Sequence, residues 1–426
     1  MDKKQENMGF LIETAEIVAV GTELLIGQTM NSNAHYLAGQ LTLLGINSYY
    51  QTVVGDNPDR LSETLARALT RADLVITSGG LGPTADDITM QYSAKLAGKE
   101  LVLDPDSEAR IAEYFLSSNR TPSANNWKQA MLPEGAYIMT NNNGTAPGAI
   151  MTFSYQGQTK AIACLPGPPS ELKPMFEEHL APWLKARTKY TFKHRFLHLI
   201  GIGESDAEMK VRDLIDGQKN PTLAPYASPG EVCFRLTQRF DRSEPEADRL
   251  GELADEVYRR LGQYVYEDGK RSLPQVVYDR LKSRGETVSF AESCTAGLIS
   301  SQFGQIPGVS EVYQGAVVSY SNRVKVEVLG VDPQILATEG AVSEACALAM
   351  ARGVAEKLNT DLGISVTGIA GPSGGSPDKP VGTVYVAAVY KGKAMVKKHL
   401  IKGNREKVRL VAALRAYHIG LEILQA

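Results

Sequence analysis

The apolar residues of this 426-residue chain fall into short β-like runs that alternate with stretches of helical spacing. Residues 16–20 and 74–77 have the pattern of buried strands, and residues 34–44 carry leucines at helical intervals up to Gly45. Pro58 is typical of the first turn of a further helix. Strand, helix, strand, helix at this spacing predicts a parallel sheet.

The same pattern divides the chain into three parts. A hairpin turning at residues 156–157 and a helix over residues 169–183 complete a first α/β domain, residues 1–184. Strand-like residues 196–201 and 231–238, with helices over 204–215 and 246–261, predict a small α+β domain, residues 185–268. We interpret this middle domain as a spacer without chemistry.

Residues 269–426 predict another α/β domain. Its expected strands include residues 288–291, 362–367 and 381–389, the last taken as the final central strand, and a long helix is expected over residues 345–358. The basic tract 391–409 has the composition of a mainly solvated face. The predicted fold class is therefore α/β, in three domains.

Composition excludes several classes of function. Hydrophobic content of 43% and charged content of 22% are typical of a globular protein, and no apolar run reaches the length of a membrane span. A net charge of −3 gives no general attraction to nucleic acid, so we expect no direct nucleic-acid binding. The four cysteines lie far apart without any Cys-x-x-Cys pair, which favours a reducing, cytoplasmic setting.

The turn Glu292-Ser293-Cys294-Thr295 joins a predicted strand to a predicted helix. We expect Ser293 and Cys294 at the helix start, where free backbone N–H groups and the helix dipole favour a nucleophile and its oxyanion. The turn could instead simply cap the helix through Ser293 or Thr295. The sequence thus offers a candidate nucleophile, with Cys294 as the rival.

Lys325 is the candidate base for this nucleophile. No local motif directs a histidine of this domain, His399 or His418, toward the turn, so a Ser-His-Asp triad is poorly supported. Lys325 follows a predicted strand that should neighbour the Ser293 strand, and desolvation can lower the pKa of a lysine far enough for general base chemistry. The alternative is an ordinary solvated helix residue.

In the first domain, the string TSGGLGPTADDIT follows the strand over residues 74–77. Glycines beyond the carboxyl end of a parallel strand let backbone N–H groups approach a phosphate, and adjacent carboxylates suit a divalent metal shared with that phosphate. The residues concerned are Gly79, Gly80, Gly82, Thr84 and Asp86 for phosphate, and Asp87 with Asp56 for metal.

This string resembles the glycine-rich site of the molybdopterin-binding (MoaB/MogA-like) α/β/α fold, as found in the amino-terminal domain of CinA (competence/damage-inducible) proteins. The segments GTE at 21–23, VGDN at 54–57 and LPGPPSE at 165–171 match that family in the same order. The resemblance implies metal-dependent hydrolysis of ADP-ribose by this domain, with Mg, Mn or Co as the metal. A non-catalytic nucleotide sensor or a partner-docking module in competence and DNA repair is the alternative.

The carboxy-terminal domain resembles the CinA nicotinamide-nucleotide amidase domain, an α/β/α fold. The matching strings AESCTAG, YSNRVK, GAVSE, TGIAGP and KPVGTVY occur in order, with Ala296 where many members carry glycine. The resemblance implies that Ser293 and Lys325 are the catalytic pair and that nicotinamide mononucleotide is deamidated to nicotinate mononucleotide without a cofactor.

The remaining site expectations concern the substrate of this amidase. The residues expected to contact it are Thr295, Tyr320, Asn322, Thr367, Gly368, Ala370, Gly371 and Arg405. We expect N–H groups near Cys294 and Thr295 to bind the oxyanion. Residues 367–371 are expected to bind the nucleotide, and Arg405 is expected to bind its phosphate. The sequence does not set the oligomeric state, and a homodimer is our expectation.

Overall fold

The computed structural model describes residues 10–117, 119–242 and 247–425. These residues form two compact units. One unit extends to Lys193 and includes Arg239–Ala247, and the other comprises His194–Gln238 and Asp248–Ala426. The leading nine residues and Glu246, where one predicted helix begins, lie outside the described residues.

The amino-terminal domain is built on a mixed sheet in the order β2-β1-β3-β8-β7-β6, with a separate β4-β5 pair. Its strands are β1 (Ala15–Val20), β2 (Gln51–Val54), β3 (Leu74–Ser78), β4 (Leu101–Leu103), β5 (Met131–Pro133), β6 (Tyr137–Met139), β7 (Gly148–Tyr155) and β8 (Gln158–Leu165). Its helices are α1 (Thr22–Leu25), α2 (Ser32–Leu43), α3 (Pro58–Leu69), α4 (Thr89–Leu96), α5 (Pro105–Ser117), α6 (Pro169–Met175) and α7 (Ala181–Lys185), with a 3-10 helix at Ala124–Ala130 and a π-helical turn at Phe176–Leu180.

The predicted parallel sheet is confirmed for β2, β1, β3 and β8, while β7 and β6 run antiparallel. Every residue of β1 is buried, and its neighbours Ile17 and Val18 belong to cores on opposite faces of the sheet. A strand buried on both faces is a nearly continuous apolar run, which is why the sequence pattern predicts β1 and β3. The domain is therefore an α/β/α sandwich, as predicted.

The middle segment is a small α+β domain with the sheet order β10-β11-β9-β12. It contains β9 (Tyr190–Ile200), α8 (Glu204–Lys210), α9 (Arg212–Asp216), β10 (Thr222–Ser228), β11 (Glu231–Asp241), α10 (Leu250–Leu261) and β12 (Val265–Asp268). The α+β class is confirmed, although the sequence pattern did not indicate β10 or β12. β10 contains Pro225 and exposed residues toward its end, so it has no clear alternation of apolar and polar positions.

The carboxy-terminal domain has the sheet order β14-β13-β15-β16-β17. Its elements are α11 (Leu273–Lys282), β13 (Val288–Glu292), α12 (Leu298–Phe303), β14 (Tyr313–Val318), α13 (Asn322–Glu327), α14 (Pro333–Thr338), α15 (Glu344–Leu358), β15 (Leu362–Gly368), β16 (Thr383–Tyr390), β17 (Lys393–Leu400) and α16 (Arg405–Gln425). β13 is parallel to both neighbours, and β16 is antiparallel to both of its own.

Helices cover both faces of this sheet, so the predicted α/β/α class is confirmed. α15 packs on β13, β15 and β16, while residues of α11, α12 and α16 form the core on the other face with Phe290, Ile364 and Val366. The expectation that residues 381–389 form the last central strand is confirmed for β16, but the sequence pattern did not indicate a further strand at the edge. Part of the basic tract forms the edge strand β17, which is exposed or partly exposed along its length.

In the described part of the chain, none of the helices combines the length and the apolar character that a membrane crossing requires.

Candidate active sites

The turn after β13 carries Ser293, but it is not the start of a helix. α12 begins at Leu298, because Ala296 (φ 51°) and Gly297 (φ 88°) adopt the left-handed conformation and interrupt any helical path from Ser293. The expectation that Ser293 and Cys294 lie at a helix start is therefore wrong. The amino-terminal N–H groups of α12 are instead directed at the buried carboxylate of Glu292, which accepts hydrogen bonds from Ile299 N (3.2 Å) and Ser300 N (2.8 Å).

Lys325 lies directly against the Ser293 hydroxyl. Its side chain is 1% exposed, and Nζ is 3.0 Å from Ser293 Oγ. β13 and β14 are adjacent, and α13 begins four residues after β14 ends, with the Ser321 hydroxyl accepting from Val324 N. The chain thereby brings two residues 32 positions apart into hydrogen-bond contact.

Two backbone carbonyls complete the surroundings of the Lys325 amine. Nζ donates to Ser319 O (2.7 Å) and Tyr320 O (3.4 Å). Within the described residues, no carboxylate forms an ion pair with Lys325, so burial dominates and lowers its pKa from 10.5. A neutral amine has two N–H bonds and one lone pair, so donation to the two carbonyls leaves the lone pair for the Ser293 proton.

Cys294 is poorly suited to be the nucleophile. It is 5% exposed within the apolar core of the domain, and burial raises its pKa to about 12. The reactive form of cysteine is the thiolate, which this environment disfavours. The neighbouring Thr295 is fully buried, and within the described chain neither its amide N–H nor its hydroxyl has a hydrogen-bond partner.

Arg405 connects several of the predicted substrate contacts. It donates to Gly371 O (2.8 Å) and to the hydroxyl of Tyr320 (2.9 Å), a side chain that is 56% exposed. Gly371 has φ 79°, and a Cβ there would collide with Val381. Among the described residues, two of the five N–H donors of Arg405 are thus engaged, and the others remain for an anion.

The other expected contacts differ in position. Thr367 is buried and donates to Ala341 O (2.7 Å). Gly368 is the last residue of β15, Ala370 lies in the β15–β16 connection, and Asn322 is exposed at the first turn of α13. In the part of the chain that the structure describes, none of these four forms a hydrogen bond with Ser293. Sequence reasoning missed Arg409, which donates to Thr295 O (2.7 Å) and thereby restrains the nucleophile turn. Its spacing of four residues from Arg405 on α16 is the signal that could have identified it.

The glycine string of the amino-terminal domain borders a cavity of about 530 Å³. Gly79 and Gly80 have positive φ, and a Cβ on Gly79 would collide with the carbonyl oxygen of Val20. The cavity is bordered by the predicted residues Gly79, Gly80, Gly82, Asp56, Asp86 and Asp87, and also by Glu23 and Glu171. The predicted phosphate and metal residues other than Thr84 thus share one cavity.

Thr84 organises the acidic part of the loop. Its hydroxyl oxygen is 2.5 Å from both Asp86 Oδ1 and Asp87 Oδ2 and donates its one hydrogen to either, and its N–H donates to Asp87 Oδ2 (2.9 Å). Asp56, which borders the same cavity, accepts from the N–H and hydroxyl of Thr22, both at 2.9 Å. Hydrogen bonding to Thr84 lowers the pKa of Asp86.

The carboxylates fit a hard divalent cation, because Asp oxygens are the ligands that such ions prefer. Among the residues that the structure describes, no three His, Cys, Asp or Glu side chains converge into a complete metal site. Asp56 and Asp87 could therefore hold Mg²⁺ or Mn²⁺ only together with oxygens of a bound phosphate and water, which is the usual manner of Mg²⁺ binding.

Three family models match successive parts of the chain. Residues 16–186 match the model of a probable molybdopterin binding domain, residues 194–266 that of the damage-inducible protein CinA KH domain, and residues 270–424 that of the CinA C-terminal domain. The middle domain, which we interpreted only as a spacer, thus has a family of its own.

The chain is also similar to other proteins over nearly its whole length. The chain is 45% identical to a CinA-like protein of Dictyoglomus thermophilum over 401 residues, covering 94% of this chain and 97% of that one. It is 45% identical to a putative competence-damage inducible protein of Clostridium beijerinckii over 411 residues, covering 96% and 98%. A crystal structure of competence/damage inducible protein CihA from Agrobacterium tumefaciens is 36% identical and covers 36% of this chain and 94% of that chain, with a TM-score of 0.35. The chain belongs to the CinA family.

Proposed function

We propose that the carboxy-terminal domain deamidates nicotinamide mononucleotide to nicotinate mononucleotide through Ser293 and Lys325. The observation that carries this proposal is the buried Lys325 amine, 3.0 Å from Ser293 Oγ and without a carboxylate to keep it charged. A lysine in that state can accept a proton, which an ordinary solvated lysine at neutral pH does not.

The reaction begins when the Lys325 lone pair takes the Ser293 proton and Oγ bonds to the carboxamide carbon. The carbonyl electrons move to oxygen, and backbone N–H groups of the turn near Cys294 and Thr295 are the donors we assign to that oxyanion. Collapse of the tetrahedral species breaks the C–N bond, and Lys325 passes its proton to the departing nitrogen, which leaves as ammonia.

The second half of the reaction releases nicotinate mononucleotide from Ser293. Water loses a proton to Lys325 and attacks the Ser293 ester, the C–Oγ bond breaks, and the proton returns to Ser293. Arg405 is our choice for the substrate phosphate, because its guanidinium has free donors and is held in place by Gly371 and Tyr320.

Paired variants test this assignment. Ser293→Ala should abolish ammonia release from nicotinamide mononucleotide, whereas the matched Cys294→Ala should keep most of it, since the thiol is buried and disfavoured as a thiolate. Both variants should unfold in urea near the wild-type midpoint. An inactive cysteine variant beside an active serine variant would reverse the assignment.

For the amino-terminal domain we propose hydrolysis of ADP-ribose, supported by the glycine loop and the carboxylates around one cavity. Backbone N–H groups of the loop would bind the phosphate oxygens, and Asp87 with Asp56 would hold a divalent metal. When bound, that metal supplies charge neutralisation and polarisation of the phosphorus. Thr84 would keep the Asp87 carboxylate oriented toward the cavity.

The competing function is a nucleotide sensor or a partner-docking module. The two hypotheses differ in one observable: a sensor binds ADP-ribose without forming AMP, whichever metal is supplied. Calorimetric binding and AMP release, measured with and without Mg²⁺, Mn²⁺ or Co²⁺, separate them. Tight binding without product under every metal would contradict the hydrolase.

A further inference from the structure

The nucleophile turn, residues 293–297, has an irregular backbone, so contacts from outside it must keep it in one shape. It connects β13 to α12 and contains the left-handed residues Ala296 and Gly297. Arg409 of α16 holds its middle through the Thr295 carbonyl. Its two ends are joined by a residue that the amidase mechanism above does not use, Glu292.

The Glu292 side chain spans the nucleophile turn. Glu292 is the last residue of β13, directly before Ser293, and it is fully buried. Its Oε2 accepts from Ile299 N (3.2 Å), and its Oε1 accepts from Ser300 N (2.8 Å) and from the Ser300 hydroxyl (2.5 Å). These bonds tie the end of β13 to the first turn of α12, and Ser293 lies in the loop that they close.

The three donors serve Glu292 in place of a basic side chain. Among the described residues, Glu292 forms no ion pair with a lysine, arginine or histidine. Charge-assisted hydrogen bonds and the positive end of a helix stabilise a buried carboxylate. A glutamine at this position would set its amide N–H₂ group against one of the N–H donors, so it could not replace all of these bonds.

The backbone of Glu292 is connected to the base as well. Its carbonyl accepts from Ser319 N (2.8 Å), and the Ser319 carbonyl accepts from Lys325 Nζ (2.7 Å). On the other side of β13, Ser293 N donates to Val366 O (3.0 Å). Glu292 is therefore linked to both members of the Ser293–Lys325 pair, and a shift of this residue would change the distance between their reacting atoms.

We propose that Glu292 is a positioning residue of the amidase, whose carboxylate keeps Ser293 Oγ within reach of Lys325 Nζ by fixing the nucleophile turn. The proposal rests on the Ser293–Lys325 pair of the proposed function and adds what sets the geometry of that pair. The effect of Glu292 on the rate is indirect, because its side chain is bonded to α12. Misplacement of a catalytic group by about 1 Å can lower a rate about 10²-fold, so a small relaxation of the turn is measurable.

Glu292→Gln and Glu292→Asp test this role in two ways. Glutamine keeps the length of the side chain but replaces one acceptor with a donor, and aspartate keeps the charge but is one methylene shorter. Both variants should lower kcat for nicotinamide mononucleotide about tenfold or more and change KM less than about twofold, because the substrate contacts are unaltered. The pH at which activity rises should stay at the wild-type value, since Glu292 does not contribute to the pKa shift of Lys325.

Glu286→Gln is the matched control. Glu286 is another buried carboxylate of this domain, just before the other end of β13, and it accepts from the Tyr390 hydroxyl (2.8 Å) and pairs with Lys391. This variant should lower the urea midpoint without lowering kcat. Ser300→Ala removes only one of the three donors to Glu292, so it should fold even if the Glu292 variants do not, and it should lower kcat severalfold at unchanged KM.

Labelling of Ser293 by a fluorophosphonate provides a measurement that does not depend on the substrate. Ser293 Oγ bonds to phosphorus, fluoride leaves, and Lys325 takes the serine proton, so the labelling rate depends on the same pair. This rate should fall in parallel with kcat in the Glu292 and Ser300 variants and stay at the wild-type value in Glu286→Gln. A wild-type protein that is labelled but releases no ammonia contradicts only the proposed substrate, and the labelling rates of the variants then decide the positioning role.

Four results would overturn the positioning role. They are unchanged kcat and labelling in the Glu292 and Ser300 variants, an equal loss in Glu286→Gln, a raised KM in place of a lowered kcat, and a shifted pH profile. A wild-type Ser293 that reacts with neither compound would overturn it together with the proposed function.

Discussion

Replacing Lys325 with methionine tests whether this residue is a neutral base or an ordinary buried lysine. Methionine fills a similar volume in the 1%-exposed site but has no lone pair that can accept the Ser293 proton. A positioned general base contributes about 10²–10⁴-fold to a rate, or roughly 2.7–5.5 kcal/mol of transition-state stabilisation. The loss should fall on kcat rather than on KM, because the base acts in the transition state.

The pH dependence of stability and of activity provides a second test of the same prediction. Burial lowers the folded-state pKa of Lys325 below 10.5, so the unfolded chain binds more protons than the folded one between the two values. In that window the stability of the folded wild type should rise with pH, by at most about 1.4 kcal/mol per unit from this group. Activity should rise with pH through the lowered pKa, since only the neutral amine accepts a proton.

Lys325→Met should remove this contribution to the slope of unfolding free energy against pH. It also leaves Ser319 O without its donor, a cost of about 1–3 kcal/mol that is independent of pH. Urea unfolding between pH 6 and 10 and ammonia release over the same range provide the measurements. The reasoning would be refuted by an unchanged kcat in Lys325→Met, or by the same slope of unfolding free energy against pH in the variant as in the wild type. Full activity in Lys325→Arg would also refute it, because a guanidinium cannot deprotonate.

Four further outcomes are expected. Arg405→Ala should raise KM for nicotinamide mononucleotide about tenfold or more and affect nicotinamide riboside, which lacks the phosphate, much less; equal effects on both would contradict a phosphate contact. Asp87→Asn should lower AMP release from ADP-ribose without changing amidase activity or the unfolding midpoint, and retained hydrolysis would exclude Asp87 as a metal ligand. Ala296→Gly should stabilise the protein by up to about 1 kcal/mol in urea unfolding, because Ala296 has φ 51°; destabilisation would show that the left-handed strain is negligible. Filter binding near 0.15 M salt should detect no single-stranded RNA or DNA on the middle domain, since the loop Gly201-Ile202-Gly203-Glu204 ends in an acidic residue; salt-sensitive binding would contradict this.

The sequence predicted those parts of the fold that are buried on both sides. β1, β3, β13 and β15 are buried along almost their whole length and are mostly apolar, so their pattern is clear. β17 was missed because it is an edge strand with lysines at exposed and partly exposed positions, which a sequence pattern does not separate from a solvated loop. A local sequence pattern reflects which side chains are buried, and an edge strand buries few of them.

The residues of the candidate sites also include some that the sequence indicated and some that it did not. Ser293 and Lys325 are recognisable because each follows the end of a strand, and adjacent parallel strands end at the same edge. The contact of Arg409 with Thr295 joins residues 114 positions apart. That contact exists only in the folded chain, so the sequence offers for Arg409 no more than its spacing of four residues from Arg405.

Mass spectrometry of acid-quenched protein during turnover of nicotinamide mononucleotide tests the Ser293 mechanism most directly. The mechanism predicts a covalent adduct with the mass of the nicotinate mononucleotide acyl group on the peptide that contains Ser293 and Cys294, and fragmentation should place it on the serine. The adduct should be absent from Ser293→Ala and retained in Cys294→Ala. An adduct on Cys294, or on any other peptide, would contradict the mechanism.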